Sequence, residues 1–233
     1  MHRLKVALSA FVFTMLTCTT LQAAGPVVVS TQAPKSLKGK LVTVEAIRKS
    51  LPAAPIVAGF DIDDTVVFSS PGFYLGGNNT DGPGGKNRYG DNFIQNPQFW
   101  KDMNQYHDRY SMKKKSGDDL VQMHKKRGDT IVFITKRTCY DNDAAVIQGR
   151  LQGMFNVQSK VYCTDEQSKT PLIASTGVYI YYGDSDTDIT YTQAVQKSPP
   201  VRPVRVERSR LSTNHTDYNP GKYGEEVLAG SEN

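Results

Sequence analysis

In Ile56-Val57-Ala58-Gly59-Phe60-Asp61-Ile62-Asp63-Asp64-Thr65-Val66-Val67-Phe68-Ser69-Ser70-Pro71 an apolar run passes directly into three carboxylates. Ile56 to Gly59 reads as a buried strand. Isolated buried charge is costly, so carboxylates at its end need a cation, hydrogen bonds or solvent. In open α/β sheets the crevice at the carboxyl ends of the strands is where ligands bind. Asp61 and Asp63 are two residues apart, so in extended chain they point to one side. One can attack an electrophile while the other handles a proton.

A second run repeats the pattern. Val178-Tyr179-Ile180-Tyr181-Tyr182 is β-rich and closes in Gly183-Asp184-Ser185-Asp186-Thr187-Asp188-Ile189. One Asp-rich strand end is commonly a turn. Two such ends suggest carboxylates converging on a hard cation, and Mg²⁺ takes oxygen ligands of this kind.

Around these strands the order is alternating. A short helix is expected over 42–51, an aromatic-rich helix over 93–110 and a helix ending at Arg127-Gly128, with Gly128 as C-cap. Thr130 to Thr135 reads as a strand, 142–155 as a helix, Val161 to Cys163 as a strand and 165–175 as a loop with a short helix. Strand 178–182, a helix over 187–194 and a last strand at Val204 to Val206 follow. Strands alternating with helices argue for an α/β fold, a parallel sheet covered on both faces. Residues 76–92 are rich in Gly and Asn and read as a flexible surface loop, either a substrate lid or a tolerated insertion.

The N-terminus stands apart. His2, Arg3 and Lys5 precede the apolar run Val6 to Leu16, and Leu21-Gln22-Ala23-Ala24 offers small residues for cleavage. Residues 1–24 read as a secretory signal peptide and 25–41 as a flexible leader, with a folded domain over 42–233. The chain is expected to be exported, with no membrane attachment once the signal is removed. The 233 residues carry 28 Lys and Arg against 23 Asp and Glu, a formal charge of +5. Cleavage removes Arg3 and Lys5 and leaves a mild excess, which gives no case for a nucleic-acid partner. Lys113-Lys114-Lys115 and Lys125-Lys126-Arg127 read as solvated helix faces. Cys139 and Cys163 remain in the exported chain; a disulfide and two small separate thiols are both open.

Thr135-Lys136-Arg137 sits at the end of the strand expected over 130–135, and Lys169 lies in the loop before the second acidic cluster. Taken together, Asp-x-Asp-x-Thr, Thr, Lys and Gly-Asp-x-x-x-Asp resemble the haloacid dehalogenase superfamily. More narrowly, Phe60–Pro71 and Tyr182–Ile189 resemble the two signatures of bacterial class B acid phosphatases. The similarity extends from about Val44 to Glu226, through Gly72-Phe73, Phe99-Trp100 and Arg127-Gly128-Asp129.

The resemblance implies a Rossmann-like fold with a small cap around 72–112, acting as an exported acid phosphatase on small phosphomonoesters such as nucleotides and aryl phosphates. It implies Asp61 as nucleophile and Asp63 as acid and base. Mg²⁺ would be held by Asp61, the Asp63 backbone carbonyl and Asp184, with Asp188 behind them. It implies Thr135, Lys136 and Lys169 as phosphate-binding groups, and Phe73, Ile94 and Trp100 as the wall of a leaving-group pocket. Asp64 is expected to shape the turn with Thr65. Phosphate transfer to alcohols and a homotetramer are further family properties. Two departures stand out: Lys136 replaces the Gly usual in the family's Thr-Gly-Arg, and Asn214 stands where the family carries an aromatic, with Tyr218 nearby. The alternatives are a catalytically weakened ligand-binding protein on this fold, or a class C-type phosphatase.

Overall fold

The computed structural model describes residues 39–80 and 84–233; the expected signal peptide and most of the leader lie outside the described residues. Strands are β1 (Lys40–Val42), β2 (Val57–Phe60), β3 (Val67–Phe68), β4 (Met112–Lys113), β5 (Thr130–Thr135), β6 (Ser159–Cys163), β7 (Ile180–Gly183), β8 (Arg202–Arg205) and β9 (Glu226–Leu228). Helices are α1 (Val44–Ser50), α2 (Ser70–Gly77), α3 (Pro97–Gln105), α4 (Lys115–Arg127), α5 (Asp143–Phe155), α6 (Thr170–Ser175) and α7 (Asp186–Gln193).

Among the described residues seven strands form one sheet in the order β1-β9-β8-β7-β2-β5-β6. Every pairing in it is parallel. A parallel sheet must be covered on both faces, and its central strands are accordingly apolar throughout. Phe60, Phe133, Leu120, Ile147, Leu151 and Tyr182 fill one face; Val132, Ile134, Ile173, Val178 and Tyr181 fill the other. β2 lies between β5 and β7, so the chain departs from it in both directions across the sheet. That reversal opens a crevice at its carboxyl end, and Asp61 is the first residue there.

Several local expectations are corrected. The helix over 42–51 starts later. Lys40–Val42 pairs with β9, and Thr43 caps α1 by accepting from Ala46 N at 3.1 Å. Part of the expected leader is therefore an edge strand. The single helix over 93–110 is broken into a 3₁₀ turn (Phe93–Gln95), α3 and a second 3₁₀ turn (His107–Tyr110). Asn96-Pro97 is the cause: the residue before a proline is driven out of the helical region. Asn96 is extended and caps α3 through Gln98 N at 2.8 Å, with Pro97 in the first turn.

The loop over 76–92 is also not a free surface loop where it is described. Tyr89 is 3 % exposed and packs edge-on against Phe99. Its hydroxyl donates to Asp102 Oδ2 at 2.7 Å, and Asn87 Nδ2 reaches the Gly76 and Gly77 carbonyls at 2.8 and 2.7 Å. Tyr89, Phe99, Trp100 and Met103 form a separate small core beneath α2 and α3. Cys139 and Cys163 are joined in a disulfide with 6.0 Å between their Cα atoms.

Candidate active site

Asp61 follows β2 directly, and its backbone N donates to Tyr182 O on β7 at 2.8 Å. That bond fixes the first acidic cluster against the second. The next turn is tight: Asp64 adopts φ 57°, which Asp tolerates better than most residues. On the other side β7 ends at Gly183. A Cβ built there would fall 2.2 Å from Asp188 Cβ, so only glycine allows Asp188 this close. Ser185 then caps α7 reciprocally with Asp188. Asp188 Oδ2 accepts from Ser185 N at 3.1 Å and Ser185 Oγ at 2.7 Å.

The fold thus brings Asp61, Asp184 and Asp188 together, each offering a carboxylate oxygen within 4.8 Å of the others. Lys169 stands at their edge, donating to Asp61 Oδ1 at 2.5 Å and Asp188 Oδ1 at 2.7 Å. Thr65 Oγ1 bridges Asp61 and Asp184 at 3.2 and 3.3 Å. Burial pushes the Asp61 carboxyl well up, and Asp188, Asp184 and Asp63 add to that against the pull of Lys169. Burial likewise raises Asp184 despite Arg208. Asp188 goes the other way: burial is outweighed by Lys169 and Ser185, and it is held low. Lys169 is held charged, because Asp188 and Asp61 outweigh its burial. Carboxylates crowded until two of them are pushed up are a donor set that suits a divalent cation. The residues therefore fit a metal of hard-oxygen preference.

Asp63 does not join that cluster by its side chain. It turns to Arg137, whose Nε and Nη2 donate to it at 2.8 and 2.6 Å. Arg137 also reaches Asp108 Oδ1 at 3.0 Å. Thr135 is buried at the end of β5 and its Oγ1 accepts from Arg137 N at 3.2 Å, which leaves the hydroxyl proton free to donate. Lys136 lines the same cavity, but its amine lies 3.5 Å from Glu166 Oε2. Phe73, Ile94 and Trp100 line the apolar wall, with Trp100 Nε1 donating to Ile94 O at 2.6 Å. The cavity that Asp61, Asp63 and Asp184 share with this wall measures about 610 Å³.

Sequence reasoning left three cations without a role. Arg137 had a signal, since it closes the Thr135-Lys136-Arg137 run. Lys114 had none, and its solvated reading is overturned: it is 3 % exposed and donates to the Asp64 and Glu207 carbonyls at 2.7 and 2.6 Å. Burial holds its amine down to about 8. Lys113 and Lys115 on either side do face solvent and pair with Asp118 and Asp119. Arg208 lies just beyond β8, and its Nε donates to Asp184 Oδ2 at 2.7 Å. Charged residues beyond the last expected strand were its only signal.

The sequence matches the family described as HAD superfamily, subfamily IIIB (acid phosphatase), over residues 2–210. A class B acid phosphatase from Morganella morganii is 39 % identical over 200 residues, covering 82 % of this chain and 79 % of that protein. One from Haemophilus parainfluenzae is 40 % identical over 199 residues, with 82 % and 80 % covered. One from Enterobacter sp. (strain 638) is 34 % identical over 248 aligned positions and covers both chains fully. The chain belongs to this acid phosphatase family.

Membership makes the chain a phosphoric monoester hydrolase, and it sharpens the two departures. Lys136 is not at positive φ, so the lost glycine costs the loop no strain. Tyr218 does not replace the missing aromatic. Its ring lies 4.9 Å from the Arg208 guanidinium and its hydroxyl accepts from Arg208 N at 3.1 Å, away from the cavity. Thr213, Asn214, His215 and Thr216 line the cavity together with Phe73, Ile94 and Trp100 instead. This acid phosphatase thus lines its cavity with both apolar and polar side chains.

Proposed function

We propose that the enzyme hydrolyses small organic phosphomonoesters, including aryl phosphates and nucleotides, with Asp61 as nucleophile and Asp63 as acid and base. The observation that carries this is Asp61 itself. It is buried at the carboxyl end of β2, touched by Lys169, and open to a cavity much larger than a phosphate group needs.

In the first step an Asp61 carboxylate oxygen attacks phosphorus, the ester P–O bond breaks, and the leaving oxygen takes a proton from Asp63. In the second, the Asp63 carboxylate takes a proton from water as the water oxygen attacks phosphorus. The bond to Asp61 breaks and inorganic phosphate leaves. An alcohol in place of water gives phosphate transfer by the same route. Thr135 and Lys169 donate to the phosphoryl oxygens, and Lys136 adds positive charge at the rim. Asp61, the Asp63 carbonyl and Asp184 would hold Mg²⁺, with Asp188 supporting them, and the ion would offset the charge that opposes attack of one anion on another.

Phe73, Ile94 and Trp100 offer an apolar face to a planar leaving group. Export to the periplasm with loss of residues 1–24 fits the Cys139–Cys163 disulfide, because such bonds persist in oxidising compartments. No helix of the described residues is long and apolar enough to cross a membrane. A homotetramer is part of the same reading, to be checked by light scattering on the purified protein.

The experiment is phosphate release from p-nitrophenyl phosphate and a nucleoside monophosphate, with Mg²⁺ and with EDTA, by wild type and Asp61→Asn. Turnover that needs the metal and vanishes in the variant supports the reading. Turnover by Asp61→Asn at the wild-type rate sinks it.

A further inference from the structure

The Cys139–Cys163 disulfide lies between the two loops that deliver cations to the site. Cys139 comes two residues after Arg137, and Cys163 closes β6. β5 and β6 end in register, Thr135 opposite Cys163. Past the sheet backbone bonds join the loops, Thr164 N to Thr135 O at 2.9 Å, Glu166 N to Lys136 O at 2.9 Å and Asp165 N to Arg137 O at 3.3 Å, beside a Lys136–Glu166 ion pair at 3.5 Å. Cys139 N adds a bond to Asp165 Oδ1 at 3.0 Å.

This zipper is weakly founded otherwise. Residues 165–168 are exposed, and Asp165 and Glu166 sit at φ 50° and 64°, a region that non-glycine residues hold only where their surroundings impose it. Thr135 and Thr164 are buried, but the other two bonds are donated by exposed Asp165 and Glu166, and bonds on exposed backbone open at low free energy. Yet the strand of residues they fix runs straight into Lys169, which is buried against Asp61 and Asp188, while the facing loop carries Arg137 against Asp63. The disulfide is the covalent tie across this gap.

We propose that Cys139 and Cys163 are positioning residues of the active site: their disulfide holds the Arg137 loop and the Lys169 loop in the geometry turnover requires, so its reduction slows catalysis without unfolding the enzyme. The inference rests on Arg137 and Lys169 working at the site as read above. Losing a bridge that served stability alone would lower the melting temperature and leave turnover in the cold untouched. A positioning bridge changes kcat in protein that is still folded, because small misplacements of catalytic groups are costly in rate.

The test uses full-length mature enzyme with saturating Mg²⁺ and p-nitrophenyl phosphate. Wild type is assayed oxidised, after treatment with a water-soluble phosphine, and after reoxidation by glutathione disulfide. The phosphine supplies two electrons, water supplies two protons and the oxygen that ends on phosphorus, and the S–S bond becomes two thiols. Cys139→Ser/Cys163→Ser is assayed alongside, with circular dichroism reporting the folded fraction. The expected result is a fall in kcat of about tenfold on reduction, a smaller change in KM, full recovery on reoxidation, and a slow double variant that ignores the phosphine. Unchanged kcat in reduced, folded wild type overturns the proposal, as does equal slowing of the double variant by the phosphine. Should the double variant fail to fold, the reversible reduction of wild type decides alone. Asp61→Asn in the same assay separates the two levels: wild-type turnover there removes the site reading and this inference with it, whereas inactive Asp61→Asn beside redox-insensitive wild type removes only the inference.

Discussion

Arg137 grips Asp63 with two nitrogens, Nε at 2.8 Å from one carboxylate oxygen and Nη2 at 2.6 Å from the other. The same guanidinium holds Asp108, and both it and Asp108 are buried. Asp63 is therefore aimed by a planar fork, and a point charge cannot reproduce that. Arg137→Lys is expected to lower kcat by about tenfold to a hundredfold with a smaller change in KM. Arg137→Ala also leaves Asp108 with less of its partner charge, at a stability cost of about 3 kcal/mol. Steady-state kinetics and urea unfolding on the two variants measure these separately. Arg137→Lys with wild-type kcat would show that the fork does not matter.

Asp108 predicts how the fold meets acid. Burial pushes its carboxyl up, but Arg137, Ser111 and Arg150 together outweigh that and hold it at about 2. A carboxylate depressed on folding contributes stability above its unfolded value and loses it as pH falls through the folded one. The contribution is complete above roughly pH 4, is lost towards pH 2, and amounts to roughly 2 kcal/mol. Asp108→Asn should be less stable than wild type at pH 6 and approach it near pH 2. Unfolding free energies across that window give the answer, and a gap that stays constant down to pH 2 excludes the linkage.

How much of this was legible follows from the kind of signal each residue gave. β2, β5 and β7 announced themselves as continuous apolar runs, and Asp61, Asp63, Asp184 and Asp188 as carboxylates where such runs stop. Local composition sufficed there. Lys114 and Arg208 were invisible because their role depends on which carbonyls and carboxylates a folded chain brings past them, and a buried lysine looks like its exposed neighbours in sequence. β1 at the sheet edge and β9 beside it have three residues each, too short to show a period. The break at Asn96-Pro97 was written in the sequence, but the aromatic spacing over 93–110 masked it. Tyr89 sits in a glycine-rich loop whose composition gave no hint of one buried anchor.

Gly183 tests the contact that sets the second acidic cluster. An added Cβ would fall 2.2 Å from Asp188 Cβ and 2.5 Å from its carboxyl carbon. Asp188 cannot yield freely, since its oxygens are bound to Lys169 and Ser185. Gly183→Ala is expected to cost about 1–3 kcal/mol of stability, as overpacking does, and to weaken binding of the divalent metal. Isothermal titration with Mg²⁺ and thermal unfolding check both. Unchanged metal affinity in a destabilised variant would confine Gly183 to packing.

Lys136 is the last case, because its two possible effects have opposite signs. Its backbone carbonyl accepts from Glu166 N at 2.9 Å, and its amine lies 3.5 Å from the Glu166 carboxylate at the cavity rim. Neither contact reaches Asp61, Asp63 or Lys169. The side chain is partly exposed, so its charge acts through solvent and is worth little when paired. Lys136→Gly, the residue usual in the family, should then leave kcat within about threefold, since a rim ion pair is worth under 1 kcal/mol. KM for a doubly charged monoester should rise modestly, and the rise should shrink as salt is added. A large gain in kcat for Lys136→Gly would instead mean that the lysine obstructs the phosphate site. Initial rates at two ionic strengths distinguish the outcomes.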